Sequence, residues 1–267
     1  MKKHLLWILI ILSLTLNLLA VIGAVAIIEK KGRLPWLSPK VAEVFRPQQA
    51  ERTRADYTNN RLSVFEQLPV GPNDIIFLGD SILDSGEWHE FLDDARAKNR
   101  AINGDDTHTI LNRLNHIIVG RPRHVVVLCG INNFQMRVPY AQTTNEYAQI
   151  VTMISQQSQH TDIWLLPVLP VNTGLYQQWI VPDHPGINMP SRTEVEALNA
   201  FIKKLAADRP RIHFVDMPAL LNHTGELRED FTLDGLHLNG RGLKEIATRL
   251  KQLGICSYKE AQQIGAP

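Results

Sequence analysis

Cysteine is scarce in this chain: Cys129 and Cys256 are the two present among 267 residues. Two thiols cannot build a disulfide framework or, on their own, a four-ligand zinc site. Cys129 closes an apolar run and reads as a small buried hydrophobe rather than a reactive thiol, which leaves the redox compartment open. Excess charge is missing as well. Twenty-eight basic residues face 27 acidic ones, a formal net charge of +1. That balance gives no electrostatic footprint for nucleic acid, so no nucleic-acid partner is expected. No internal repeat, low-complexity tract or long charge run occurs. What the chain does have is a composition of 44% hydrophobic and 21% charged residues, enough for one folded domain with a substantial core.

The N-terminus carries the longest apolar run. After Met1-Lys2-Lys3-His4 it extends from Leu5 to Ile28, interrupted by Ser13, Thr15, Asn17 and small residues. As a helix rising about 1.5 Å per residue it reaches roughly 36 Å, sufficient to cross a bilayer with some tilt. A cleavable signal peptide is the alternative, because Ala24-Val25-Ala26 resembles a cleavage site. The apolar core of such a peptide is normally only about 7–15 residues, which favours an uncleaved anchor. Lys2 and Lys3 favour an inside N-terminus, whereas Lys30, Lys31 and Arg33 pull the other way. The short basic start resembles a signal-anchor and places the following domain outside the cytoplasm. The expected organisation is a tail at 1–4, an anchor at 5–28, a connector at 29–70, a folded domain at 71–255 and a tail at 256–267. Pro35, Pro39 and Pro47 break the first part of the connector, and the polar stretch from Gln48 to Gln67 can form one helix.

From Gly71 strand and helix signals alternate. Apolar strand signals fall at Asp74 to Leu78, Asn99 to Asn103, His124 to Cys129, Asp162 to Pro167 and Arg211 to Asp216. Helical patterns run from Ser81 to about Ala95, Thr107 to Val119, Tyr140 to Gln157, Ser191 to Asp208 and about Asn239 to Leu253. Ser191 with Glu194 three residues on is a capping-box pattern. The segment from Val168 to Pro190 is rich in Pro, Gly and Asn and reads as a long excursion. Five strands joined by helices imply a mainly parallel sheet covered on both faces. Ligands of such sheets bind beyond the carboxyl ends of the strands, so residues that perform chemistry should sit just after an apolar strand.

Four segments meet that test or lie in a late loop. Gly79-Asp80-Ser81 directly follows the first strand. Its glycine permits a tight turn, and a serine at a helix N-terminus faces the positive end of the helix dipole. Alone, the same tripeptide is also an ordinary strand exit with a helix cap. Asn103-Gly104-Asp105 follows the second strand, where a glycine lets a backbone N–H approach a substrate oxygen; such turns are also common structurally. Gly130-Ile131-Asn132-Asn133 follows the third, and Asn132 can direct its amide at an oxyanion or cap a turn. Asp234-Gly235-Leu236-His237 precedes the last helix. A serine hydroxyl needs a base, which neutral histidine supplies near neutral pH, and a carboxylate on the other ring nitrogen fixes its tautomer. A lone histidine after a turn is more often a surface residue. No second His or Cys lies at ligand spacing near it, so no metal is expected. His89, His108 and His116 fall on expected helices and read as surface or packing residues.

The ordered set GDS, NGD, GINN and DGLH, in the contexts FLGDSI, NRAINGDDT, VVVLCGINN and DGLHLNGRG, resembles the block pattern of the SGNH/GDSL hydrolases. The likeness extends to their platelet-activating-factor acetylhydrolase-like branch and spans about Asp74 to Leu253. It implies a flavodoxin-like three-layer α/β/α fold with Ser81 as nucleophile, Asp234 as orienting acid and His237 as base. It also implies an oxyanion hole from the backbone N–H groups of Ser81 and Gly104 and the side-chain amide of Asn132, with no cofactor. The family often has Gly where this chain has Ala101, and Asp where it has Asn133. The expected activity is hydrolysis of acetyl or short acyl esters of sugars, or of lysophospholipid-type lipids, by a membrane-anchored serine esterase. The alternatives are an O-acyltransferase acting on cell-surface glycans with the same triad, and an inactive glycan- or lipid-binding module. Tyr176, Trp179, Asp183 and His184 in the 168–190 segment either line a pocket or lid, or pack a structural surface excursion. Oligomeric state is not legible.

Overall fold

The computed structural model describes residues 13–21, 54–184, 186–207 and 209–257. The chain divides into two compact units, Met1–Asp56 and Tyr57–Pro267. In the first, residues 13–21 are helical, with Leu14, Leu16, Leu18, Leu19 and Val21 exposed. The rest of the expected anchor at 5–28, most of the connector and most of the C-terminal tail lie outside the described residues. Among the described residues no helix is long and apolar enough to cross a membrane.

The second unit holds five parallel strands: β1 (Ile75–Gly79), β2 (Ala97–Asn99), β3 (His124–Leu128), β4 (Asp162–Leu165) and β5 (Ile212–Phe214), in the order β2-β1-β3-β4-β5. This is the doubly wound order in which the chain reverses direction between β1 and β3, the position where such sheets bind ligands. Alternation along the strands feeds two cores. Ile76, Leu78, Val125, Val127, Ile163 and Leu165 face one side. There they meet Ile110 of α4 (Thr107–Arg113), Ile117 of α5 (Asn115–Ile118), Tyr147, Ile150 and Val151 of α7 (Tyr140–Gln157), and Val195, Leu198 and Ile202 of α9 (Arg192–Ala206). Ile75, Phe77, Val126, Leu128 and Trp164 face the other, against Trp88 and Leu92 of α3 (Trp88–Leu92) and Leu243, Ile246 and Leu250 of α10 (Gly240–Gln252). The Trp88 ring stacks on Phe77 with centroids 4.2 Å apart. Apolar contact on both faces explains why the strands read as continuous hydrophobic runs.

Several boundaries differ from the sequence expectation. The helix expected from Ser81 to Ala95 is split into α2 (Ser81–Asp84) and α3. The carbonyls released between them are bound by side chains: Asn99 Nδ2 donates to Leu83 O, Asp84 O and Gly86 O, each at 3.0 Å, and Trp88 Nε1 donates to Leu83 O at 2.8 Å. Strand β2 lies earlier than Asn99–Asn103, although Arg100 N and Ile102 N still donate to Phe77 O and Gly79 O and carry irregular pairing onward. The pattern from Thr107 to Val119 breaks at Leu114 into α4 and α5. The connector helix spans residues 54–67 and is called α1; the Arg61 and Arg100 guanidinium groups lie over the ring of its Phe65, at 4.7 and 4.8 Å from the centroid. Helix α7 and the capping box of Ser191 and Glu194 on α9 lie where expected. Two helices stand where the sequence pattern predicts none: α6 (Ile131–Gln135) and α8 (Thr173–Asp183), the latter opened by the Asn172 side chain, which accepts from Leu175 N–H. Gly174 and Pro182 give α8 the composition of a loop.

Candidate active site

Ser81 is the first residue of α2, immediately after β1, and is 7% exposed. Its position depends on Gly79, where an added Cβ would lie 2.2 Å from Leu128 O on the neighbouring strand. Only a glycine lets β1 run that close to β3 at the exit to the serine. Asp80 adopts extended backbone and caps α2, Oδ1 accepting Ile82 N–H at 3.0 Å. First-turn N–H groups of a helix have no intrahelical acceptor. With α2 a single turn long, any help to negative charge comes from the aim of those N–H groups rather than from an extended dipole.

The triad loop reaches Ser81 from 156 positions downstream, His237 Nε2 lying 3.0 Å from Ser81 Oγ. His237 Nδ1 lies 2.7 Å from Asp234 Oδ2. This arrangement fits the tautomer in which Nδ1–H donates to the carboxylate and Nε2 accepts from the serine hydroxyl. The three-residue spacing works because Asp234 closes its own turn: Oδ1 accepts Leu236 N–H at 2.9 Å and His237 N–H at 2.8 Å. Thr232 Oγ1 donates to His237 O at 2.7 Å, and Asn172 N, at the start of α8, donates to Gly235 O at 2.8 Å. The 168–190 segment therefore props the loop that carries His237.

Burial works to raise the Asp234 carboxyl, but the His237 ring and the two turn N–H groups overcome it and hold the group down at about 2. A carboxyl depressed from its ordinary 3.8 adds stability that is present above that value and is lost as pH falls through about 2. Allowing for its partial exposure, the contribution is on the order of 1–2 kcal/mol. Thermal denaturation of wild type and Asp234→Asn should show a stability gap near neutral pH that narrows as pH falls below about 4. A gap that widened instead would contradict the depressed carboxyl.

Hydrogen bonds also draw the two middle motifs to this point. Ile102 N donates to Gly79 O, setting the NGD turn beside the serine turn. Gly104 sits in that turn at φ 81°, a conformation that suits glycine. Asn132, in α6 just after β3, donates Nδ2–H to Asp105 O at 2.7 Å, so its amide is fixed against the residue after Gly104. Ser81, His237 and Asp234 are thus joined directly, while Gly104 and Asn132 join through neighbouring bonds. Of the 168–190 candidates, Tyr176 is fully buried and accepts Gln135 Nε2–H at 2.8 Å, whereas Trp179, Asp183 and His184 are exposed. Tyr176 is a packing residue that ties α8 to α6.

Two arrangements beneath the site join motif residues to partners outside the motifs. Arg113, near the end of α4, is 7% exposed and pairs with Asp105, Nε to Oδ2 at 2.7 Å. Its Nη1 donates to Arg100 O at 2.8 Å and its Nη2 to Gly79 O at 3.4 Å. One guanidinium therefore fastens the NGD turn to the end of β1. Asn133, where the family often has Asp, accepts Thr107 N–H on Oδ1 at 3.1 Å and donates Nδ2–H to Thr107 Oγ1 at 2.7 Å. Thr107 Oγ1 donates in turn to Glu146 Oε2 at 2.6 Å. The nearby carboxylate of this network is therefore on α7 rather than beside Asn132. The Ala101 methyl is fully buried in the core on the α3 and α10 side of the sheet.

A doubly wound sheet with serine, imidazole and carboxylate in hydrogen-bond series at its switch point is the architecture of a serine hydrolase. The chain belongs to the GDSL-like lipase/acylhydrolase family, which it matches over residues 77–244. It is an ester-hydrolysing enzyme. It is similar to the platelet-activating factor acetylhydrolase IB subunit alpha1 of Homo sapiens, with 28% identity over 204 residues, 73% of this chain and 80% of that protein. In fold it resembles a Streptococcus pneumonia protein proposed to be a platelet activating factor, at TM-score 0.70 and 24% identity, covering 79% of this chain and 98% of that one. A GDSL-like lipase from Bacteroides thetaiotaomicron superposes at TM-score 0.60 and 20% identity, covering 75% and 97%.

Proposed function

We propose that this protein is a membrane-tethered esterase that cleaves acetyl or short acyl esters of sugars or lysophospholipid-type lipids through an acyl-serine intermediate at Ser81. The unbroken Asp234–His237–Ser81 hydrogen-bond series is the observation that carries the reading. In the first stage Ser81 Oγ attacks the ester carbonyl while His237 Nε2 takes its proton. Asp234 steadies the imidazolium, and the carbonyl oxygen receives hydrogen bonds from Ser81 N–H, Gly104 N–H and Asn132 Nδ2. His237 then protonates the leaving alcohol, and water activated by the same ring releases the acid and frees the serine. The acetylhydrolase name of the human relative favours a short acyl group.

An ester panel of increasing acyl length, with acetylated sugars and lysophospholipids among the substrates, tests the reading. We expect the fastest turnover on acetyl and short acyl esters, and loss of turnover in Ser81→Ala. Preference for long acyl chains would remove the short-acyl assignment. Asn132→Ala should lower kcat by about 100- to 1000-fold, about 2.7–4 kcal/mol, with little change in KM, because the donor acts on the oxyanion more than on the ground-state carbonyl. An equal change in KM with kcat preserved would instead make Asn132 a substrate-binding residue.

The membrane tether is assigned to residues 5–28, with the hydrolase domain outside the cytoplasm. It is supported by the length of that apolar run and by the exposed leucines of helical residues 13–21. Protease added to intact cells should remove the domain; digestion only after lysis would count against this topology.

A further inference from the structure

Asp80 stands between the glycine that admits β1 to the site and the serine that follows, and its side chain is fully buried. Oδ1 accepts Ile82 N–H, while Oδ2 is buried without a hydrogen-bond partner. The titratable or charged groups that face it are His237 from the triad loop, Asp105 from the NGD turn and Cys129 at the end of β3. Asp105 already has Arg113 as its cation, and burial pushes the Cys129 thiol far up, so it stays neutral. An ionised Asp80 would thus be a buried carboxylate with one oxygen unsolvated and a second carboxylate close by. A neutral acid in the same place leaves only an unpaired hydroxyl, a much smaller cost.

We propose that Asp80 is a positioning residue that works as a neutral carboxylic acid. Its Oδ1 fixes the turn that carries Ser81, and below about pH 7 the proton on Oδ2 keeps a second negative charge away from His237. Burial, the largest influence, pushes this carboxyl up to about 7; Ile82 N–H and His237 oppose the rise and Asp105 adds to it. Once Asp80 is charged, a second buried carboxylate lies beside Asp105 and the Ser81 turn. The proton on Asp80 comes from solvent as the chain folds and takes no part in the acyl transfer.

The inference rests on the Ser81 esterase reading, and its test has one readout that needs no substrate. The side-chain amide introduced by Asp80→Asn would keep the acceptor for Ile82 N–H and mimic the neutral acid; alanine would remove both. We expect Asp80→Ala to lose about tenfold or more in kcat, and Asp80→Asn to recover most of that loss. In wild type the pH dependence of kcat/KM should carry the ionisation of Asp80 near pH 7. In Asp80→Asn that contribution should be gone and the rising limb should change shape. A folded Asp80→Asn as inactive as Asp80→Ala would overturn the proposal, as would one whose limb matches that of wild type. Should the variants fail to fold, infrared difference spectroscopy of the wild-type protein decides. A protonated-carboxyl stretch that persists at about pH 6, where carboxyls of ordinary pKa about 4 are ionised, and fades through about pH 7–8 supports the neutral acid. Absence of that band contradicts it, whether or not Ser81 proves to be the nucleophile.

Discussion

Replacement of Ser81 by alanine is expected to leave a folded protein whose kcat on a cleavable ester falls by about a millionfold. The loss is that large because the side chains in hydrogen-bond series act as one unit. Without Oγ no acyl-serine can form, and His237 and Asp234 are left orienting a proton transfer that has no donor. The residual rate should still exceed that of water by about 1000- to 10,000-fold, supplied by the oxyanion donors and by binding. His237→Ala should therefore cost nearly as much as Ser81→Ala, and the double variant hardly more than either. Additive losses would mean that the two residues act in separate steps. The substitution itself is small, at a site only 7% exposed, so an unchanged melting temperature is the control that separates chemistry from folding.

The largest effect on stability is expected at Arg113. Its guanidinium is buried, paired with Asp105 and bonded to the carbonyls of Arg100 and Gly79. Arg113→Leu removes the guanidinium paired with the buried Asp105 carboxylate, near the Asp80 carboxyl, which should cost about 3–5 kcal/mol. For a domain of this size that corresponds to a drop in Tm of about 6–20 °C. Replacing both partners, as Arg113→Leu with Asp105→Leu, should regain a substantial part of the loss, because a well-packed apolar pair has no charge to desolvate. Activity should not return with it, since Asp105 O anchors the Asn132 amide and the turn holds Gly104. Recovery of full activity in the double variant would show that the ion pair has no part in shaping the site.

The features legible in the sequence are those whose cause is local. HVVVLC at 124–129 reads as a buried strand because β-branched residues run without a polar break, and β3 is there. Ser191 and Glu194 mark the start of α9 because a capping box needs only residues three apart. The grouping of Ser81, His237 and Asp234 is legible through motif order and strand-end placement, and Asp234 and His237 lie within one turn of chain. What cannot be read depends on distant partners. The split between α2 and α3 is held by Asn99, 13 to 16 positions away. Helix α8 hides behind Gly174 and Pro182 and is fixed by Gly235 O, Gln135 and Glu226. The Asp105–Arg113 pair looks like one more acidic and one more basic residue until the fold buries both. In the sequence Asp80 is visible only as a capping residue; its buried, unpartnered oxygen is a property of the packed site.

The central chemical claim is that Ser81 becomes acylated with His237 as its base. Incubation with a serine-directed organophosphonate ester, followed by peptide mass spectrometry, tests it on the intact protein. A single phosphonyl adduct should appear on the peptide carrying Gly79-Asp80-Ser81. It should form many-fold more slowly in His237→Ala and not at all in Ser81→Ala. An adduct on another residue, or equal labelling of wild type and Ser81→Ala, would contradict the assignment of Ser81.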